Sequence, residues 1–349
     1  TDDDREGEAI GWHICDIIGL DVSTTRRIIF HEITSSAVNK AILAPTVLNM
    51  KLVYAQKCRQ IIDMVVGFRI SPVLWKRFTY GKATGKGGSL SAGRCQIPCL
   101  KIIYDNELTI REHLKGDKDG TSTFRVFGRF SPKKIKFVLQ HEFTNRDGVI
   151  SLFERMTENG FSCGSKPHIF YRDKPRETSV APPKPLTTSR FQQACSNELS
   201  MSPKDTMSAA QKLYEHGLIT YMRTDASHYS IDFIETVKVH IKKKFNNDRY
   251  ISSVIFLLSS TANSNTQEPS SAHESIRPTN IKVETIEDMA SSGFTPREIK
   301  VYKLIWRITM ESCMSSAVYS KMKCTVCSPL SEKWIFMHDA VTPVFMGWK

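Results

Sequence analysis

The residues best equipped for chemistry fall in a few short runs. TDDDREGE, at the start, carries carboxylates at Asp2, Asp4 and Glu6. Alternate side chains on an extended segment point the same way. Three carboxylates facing one point would repel, and a magnesium ion, which takes oxygen ligands, would relieve that repulsion. The alternative is an acidic helix start, where Asp and Glu complement the helix dipole. LITYMRTD sets Tyr221 two residues before Arg223. On an extended segment the two share a face, so a phenolate and a guanidinium would meet one phosphate. A tyrosine with its ordinary pKa of about 10 is a weak nucleophile, and a nearby cation favours the phenolate and neutralises charge on a transferring phosphoryl group. Alone, the pair also fits a buried structural tyrosine.

Three further runs offer phosphate contacts. AHESIRPT places His273 and Arg277 four residues apart. On a helix they would share a face and both would donate to phosphate oxygens, or they would simply form a surface turn. Arg59 and Asp63 have the same spacing. They read either as an ion pair along one helix or as an Asp orienting Arg59 towards a phosphate. SAGRCQ is a glycine turn that exposes Arg94 and Gln96 for backbone or base contact, or only a turn.

The elements that must position these residues are legible in outline. Arg5–Leu20 reads as a helix with Ile10, Ile14, Ile17 and Ile18 on one face. A short strand at Arg26–Phe30, a helix from Ser35 and a third from Leu48 to Val66 give this opening an α/β character. Phe124–Phe153 alternates like an antiparallel sheet, with turns at Ser131-Pro132 and Asp147-Gly148. Pro182, Pro183 and Pro185 form a linker before a helical stretch over 187–240. Within it Ser202 reads as an N-cap, Pro203 as a first-turn residue and Gly217 as a stop. Residues 259–272 read as a loop. Thr295-Pro296-Arg297-Glu298 is a capping box that opens a helix to about Met310, and 321–348 returns to a β pattern. The two β stretches are candidates for one domain interrupted by the helical one.

At 349 residues the chain is long enough for two or three domains. Hydrophobic content of 40% and charged content of 24% fit a folded, soluble protein. The longest apolar run, near Ile251–Leu258, is too short to span a bilayer. The net charge of +12 and a pI near 9.2 favour a polyanionic partner. Nine scattered cysteines point to a reducing, intracellular setting rather than a disulfide framework. Cys324 and Cys327 have metal-like spacing but no second pair, so they read as structural thiols. The opening at Thr1, without a methionine, and the stop at Lys349 suggest a piece of a longer protein.

Taken together and in order, these runs resemble the type IA DNA topoisomerases over essentially the whole chain, and the bacterial topoisomerase I branch more than the topoisomerase III branch. The matching blocks are TDDDREGE, FHEIT, VVGFRISPVLW, LSAGRCQ, PPKPLTTSRFQQ, LYEHGLITYMRTD and AHESIRPT. The resemblance implies a multidomain α+β toroid. Its parts would be the C-terminal part of a Toprim α/β domain (1–47), a helical hinge region (48–110), a β-rich arch in two pieces (111–181 and 312–349) and a helical catalytic tyrosine domain (182–311). It also implies an ATP-independent enzyme, acting as a monomer on the single-stranded cleavage segment within negatively supercoiled DNA. Such an enzyme cuts one strand through a 5′-phosphotyrosine link, passes a strand, reseals the break and relaxes negative supercoils.

By the same resemblance Tyr221 is the nucleophile, Arg223, Arg59 and His273 hold phosphate, and Asp2, Asp4 and Glu6 bind Mg2+. Arg5, Asp63, Ser91, Arg94, Gln96 and Arg277 contact DNA. Ala226 stands where the family usually has serine, and the family's Toprim glutamate and lysine would lie before Thr1. A Toprim primase or nuclease would share only the acidic run. A single-stranded DNA-binding paralogue would not need the intact tyrosine block.

Overall fold

The computed structural model describes residues 2, 4–78, 90–116, 123–158, 168–252, 274–287, 293–328 and 334–349. The chain divides into two compact units, each built from separated segments. The first is Thr1–Ile62, Val180–Ala317 and Met346–Lys349. The second is Asp63–Ser179 and Val318–Phe345.

The first unit opens with α1 (Arg5–Ile18), capped by Asp4, whose carboxylate accepts from Gly7 N at 2.7 Å, and ended by left-handed Gly19. The strands β1 (Arg26–Arg27) and β2 (Thr46–Val47) pair antiparallel around α2 (Ser35–Leu43), which Thr34 caps. The strand expected to reach Phe30 stops at Arg27. The third helix, α3 (Met50–Arg77), runs well past the expected end at Val66 and carries Pro72 inside it. An interior proline removes a helix hydrogen bond, and side-chain anchors in the second unit hold the helix beyond it. There Ser71 Oγ accepts from Ala92 N at 3.0 Å, and Trp75 Nε1 donates to the Leu90 carbonyl at 2.5 Å.

The core of the first unit is helical. The helices α6 (Thr188–Leu199), α7 (Pro203–Glu215) and α9 (Pro296–Cys313) pack together. Phe191, Leu213, Val301 and Ile305 interlock there with Ile219 and Ile276 from the segments between the helices. A second cluster forms where α8 (Ile231–Phe245) turns Phe233, Ile234, Val237 and Ile241 inward against Tyr229 and Ile281. Its terminal run Lys242, Lys243 and Lys244 sits in the last turn, where cations complement the dipole. At α9 the Glu298 carboxylate accepts from Thr295 N at 2.6 Å, as the capping box requires.

The end of α7 is a Schellman motif: Leu218 N donates to the Leu213 carbonyl, and Gly217 N to that of Tyr214. Gly217 has φ +69°, and a Cβ there would overlap the Ile33 carbonyl oxygen. Gly217→Ala is therefore expected to cost at least about 2 kcal/mol, from the left-handed penalty plus the displaced carbonyl. Denaturant unfolding checks this, and an unchanged midpoint would contradict the geometry.

The second unit contains the C-terminal part of α3, α4 (Gln96–Gly116) and a six-stranded antiparallel sheet. The strands are β3 (Phe124–Phe130), β4 (Ile135–Phe143), β5 (Ile169–Arg172), β6 (Arg176–Val180), β7 (Ala317–Cys327) and β8 (Ile335–Phe345). Their order is β3-β4-β8-β7-β5, and β6 also pairs with β7. The β stretches before and after the helical segment thus share one sheet. Residues 146–153, read as β from their alternation, instead open α5 (Arg146–Glu158). Asn145 Oδ1 accepts from Gly148 N at 2.9 Å, so Asp147-Gly148 is a helix start rather than a hairpin turn. Val149, Leu152 and Met156 then lie at helical spacing against Val126, Phe137, Leu139 and Phe336 on one sheet face. Cys324 is buried in that core, and the eight described cysteines are free thiols. Among the described residues no helix is long and apolar enough to cross a membrane.

Candidate active site

Tyr221 lies on an extended segment between α7 and α8. Its backbone is fixed on several sides. Tyr221 N donates to the His31 carbonyl at 2.8 Å, and Thr220 N to that of Arg277 at 2.9 Å. Thr220 Oγ1 accepts from Arg277 N at 3.0 Å and donates to the Ser275 carbonyl at 3.0 Å. Thr188 Oγ1, from the first turn of α6, accepts from Thr224 N and donates to the Met222 carbonyl, both at 2.8 Å. Residues 274–279 are therefore extended and laced to the tyrosine segment, with bridges at Leu186–Ile276 and Ile219–Pro278. The expected helix face joining His273 and Arg277 is not formed at 274–279, because the backbone groups there pair sideways. His273 itself lies outside the described residues.

The Tyr221 side chain is 5% exposed. Its ring meets Tyr214 edge-on at 5.3 Å between centroids, and its hydroxyl donates to Asp4 Oδ2 at 2.7 Å. Arg223 Nη1 stands 3.6 Å from the same oxygen and keeps 56% of its side chain open to solvent. Burial pushes the Tyr221 phenol well above its ordinary range. The hydrogen bond to Asp4 and the charges of Asp4 and Asp2 push the same way, against Arg223. The tyrosine is held here as a buried phenol whose proton points at a carboxylate, with a cation at the edge. That is the geometry of a nucleophile beside a proton acceptor.

Asp4→Asn tests this coupling. Asparagine still caps α1 through its one carbonyl oxygen, but its amide nitrogen replaces the oxygen that accepts from Tyr221, so the phenol loses both the acceptor and the charge. The Tyr221 pKa should fall, while burial keeps it above ordinary tyrosine. The infrared tyrosine C–O stretch at neutral pH, differenced against Tyr221→Phe, reads the lost hydrogen bond, and an unshifted band would refute the Asp4 coupling.

The acidic run does not assemble as three carboxylates facing one point. Asp4 is the helix cap, and Glu6 lies in the first turn of α1, where residues step about 100° apart around the axis. Alternate side chains therefore diverge. Glu6 accepts from Arg59 at 3.0 Å, exposed Asp2 accepts from Arg27 through its backbone carbonyl, and Arg5 faces solvent. Among the described residues there is no group of three or more potential ligands for a metal ion. As arranged, Asp2, Asp4 and Glu6 do not fit a common divalent cation.

Other predicted residues have different partners from those expected. Arg59 pairs with Glu6. In the second unit Asp63 pairs with Arg94 at 3.0 Å, near exposed Ser91 and Gln96. The i,i+4 relation of Arg59 and Asp63 is thus superseded by long-range partners. Arg277 is buried between Glu274, at 2.6 Å, and Glu32, at 3.2 Å, with its guanidinium 4.2 Å from the Phe233 ring centre. Burial alone would raise the Glu274 carboxyl, but the Arg277 charge and hydrogen bonds from Arg277 and Ser230 hold it below its ordinary value. Spacing gave no sign of two further participants. Glu8 is buried against Arg27 at 2.8 Å and accepts from Asn49 N at 3.1 Å. Thr188 is recognisable only as part of a motif block.

Comparison with known proteins places the chain in a family. The sequence profile of the DNA topoisomerase family matches residues 47–349. DNA topoisomerase 1 of Campylobacter jejuni is 36% identical over 91% of this chain and 44% of its own length. The enzyme of the same name from Escherichia coli is 35% identical over 93% of this chain and 35% of its own length. That from Buchnera aphidicola of Schizaphis graminum is 34% identical over 100% of this chain and 38% of its own length. The chain thus spans well under half of these curated relatives. Full-length topoisomerase I from Thermotoga maritima superposes with a TM-score of 0.78 at 29% identity, over 99% of this chain and 53% of that one. With the tyrosine segment inside the matched region and the fold shared, this chain belongs to the type IA DNA topoisomerase family.

Proposed function

We propose that the chain supplies the tyrosine site of an ATP-independent topoisomerase that cleaves one DNA strand, passes another and reseals the break, relaxing negative supercoils. The observation that carries this reading is Tyr221, hydrogen-bonded to Asp4 at 2.7 Å with Arg223 beside the same carboxylate. The phenol oxygen forms a bond to phosphorus as the bond to the neighbouring 3′-oxygen breaks. The phenol proton leaves and the 3′-oxygen gains one, giving a 5′-phosphotyrosine and a free 3′-hydroxyl. Resealing is the reverse. One phosphodiester replaces another, so the protein's task is positioning and charge stabilisation.

Arg223, Arg59 and His273 act on the phosphate in this reading. Arg5, Asp63, Ser91, Arg94, Gln96 and Arg277 belong to the DNA path, although the Arg277 guanidinium is at present held by carboxylates. Because Tyr221 is buried and Asp4 occupied, the walls of the site must part before a phosphodiester can reach it. Magnesium is the expected cofactor, although Asp4 and Glu6 are engaged with Tyr221 and Arg59 in this arrangement. The assignment of 1–47, 48–110, 111–181, 182–311 and 312–349 to Toprim, hinge, arch, tyrosine and arch regions is supported by the single sheet of β3 to β8. An intracellular monomer acting on single-stranded DNA completes the reading.

Covalent trapping tests it. Single-stranded oligonucleotide labelled at the 5′ or, separately, the 3′ end is mixed with protein and magnesium, then denatured. Protein should remain attached to the 5′ end of the downstream fragment, seen with the 3′ label. Attachment through the other end would mean a different chemistry. DNA binding without an adduct would favour a binding module.

A further inference from the structure

The sheet of the second unit has one face packed by α5 and an opposite face that carries its own pattern. Strand register places Phe127, Val138, Met337, Thr325 and Tyr171 in one continuous row across β3, β4, β8, β7 and β5. Phe127 is 47% exposed and Tyr171 55%, with partly open Val138, Met337 and Thr325 between them. At the usual strand spacing of about 4.8 Å the row is about 19 Å long. Two residues along, Arg129, Lys136 and Lys323 form a parallel line about 6.8 Å away on the same face. Among the described residues none of these three cations has a carboxylate partner. Asp339, which faces Lys323, is taken up by Lys321 at 2.8 Å. Lys136 sits 3.6 Å over the Phe127 ring.

An exposed aromatic and apolar row beside a cationic row, separated by roughly one base-to-backbone distance, suits a single strand. Rings and flat apolar side chains take unstacked bases, and cations follow the phosphates. A duplex hides its base faces and would use only the cations. We propose that this open sheet face, which shares no residue with the Tyr221 site, is a second binding surface for single-stranded DNA. The proposal rests on the reading that the chain handles DNA strands.

Affinity for a 30-nucleotide strand, measured on the full chain by fluorescence anisotropy across a salt series, tests it. Phe127→Ala with Tyr171→Ala should weaken binding about tenfold or more. Lys136→Gln with Lys323→Gln should weaken it and reduce the salt dependence by about one to two ions. Both pairs replace exposed residues, and circular dichroism confirms their folding. Trapping of a short oligonucleotide at saturation should stay unchanged in both. A strand carrying 5-iodouracil should photo-crosslink to Phe127 or Tyr171.

Unchanged affinity in the aromatic pair, or loss only in the lysine pair with duplex affected equally, would overturn the proposal. Crosslinks at Tyr171 from a protein that never forms the covalent adduct would uphold this surface while overturning the catalytic reading. An adduct without any contribution from the sheet face would do the reverse.

Discussion

Tyr221→Phe is expected to abolish the covalent protein–DNA adduct and leave the fold in place. The ring, with its edge-on contact to Tyr214, and the Tyr221 N to His31 carbonyl bond are retained. Only the hydroxyl is lost. Asp4 keeps the Gly7 amide and the nearby Arg223 guanidinium, so its carboxylate is not stranded. The change in stability should be about 1 kcal/mol or less, the net worth of one hydrogen bond. Adduct formation should fall below detection, because phenylalanine has no oxygen to form the ester, while affinity for single-stranded DNA changes little. Denaturing gels of labelled DNA, unfolding midpoints and anisotropy separate these readouts. An adduct that persists would mean the nucleophile is another residue. A protein that fails to fold would mean the Asp4 hydrogen bond is structural to a degree the remaining contacts do not suggest.

A second large effect is expected at alkaline pH. Tyr214, Tyr221, Tyr229 and Tyr302 are each at most 5% exposed. Burial pushes the Tyr214 phenol up to about 12, helped by the charge of Asp2. It pushes the other three further up, with Asp4 contributing at Tyr221 and Cys313 at Tyr229. In the unfolded chain all four titrate near about 10. A group that holds its proton more tightly when folded contributes stability in full below the unfolded pKa and loses it as pH rises above that value.

Each tyrosine then costs about 1.4 kcal/mol by pH 11, or about 5–6 kcal/mol for the four. That is comparable to the whole stability of many domains. Burial also raises the thiols of Cys195, to about 11, and Cys313, to about 12. They act in the same direction and begin the decline near about pH 9. Urea unfolding at pH 8, 9.5 and 11, with tyrosinate absorbance followed through each transition, should show a steep fall and phenol ionisation coincident with unfolding. Tyr214→Phe, which keeps the ring, should lessen the fall by about 1.4 kcal/mol, the share of one of the four phenols. A stability that is flat between pH 9 and 11 would show that these phenols ionise within the fold.

What sequence alone determined about this chain was mostly local. The Ser202 cap, Pro203 and the Gly217 stop of α7, and the capping box of α9, are interactions among residues a few positions apart. They form wherever the chain is helical, so spacing suffices to read them. The motif blocks were legible by another route: their residues, in order along the chain, resemble those of one family, whereas the spacing of Tyr221 and Arg223 alone also fitted a structural tyrosine.

Tertiary structure decided which charged groups meet. Asp4, Glu6, Arg59 and Asp63 each had a plausible neighbour within four residues, yet the side chains they meet are those of Tyr221, Arg59, Glu6 and Arg94. An exposed i,i+4 pair is worth only a few tenths of a kcal/mol, too little to hold a side chain against a better-placed distant partner. The same limit explains α5, where alternation suggested strands but burial of Val149, Leu152 and Met156 against the sheet favoured a helix. It also explains 274–279, where backbone pairing to the tyrosine segment replaced the helix that its charges suggested. Local spacing set the ends of the helices, and burial with long-range pairing set the environment of the tyrosine.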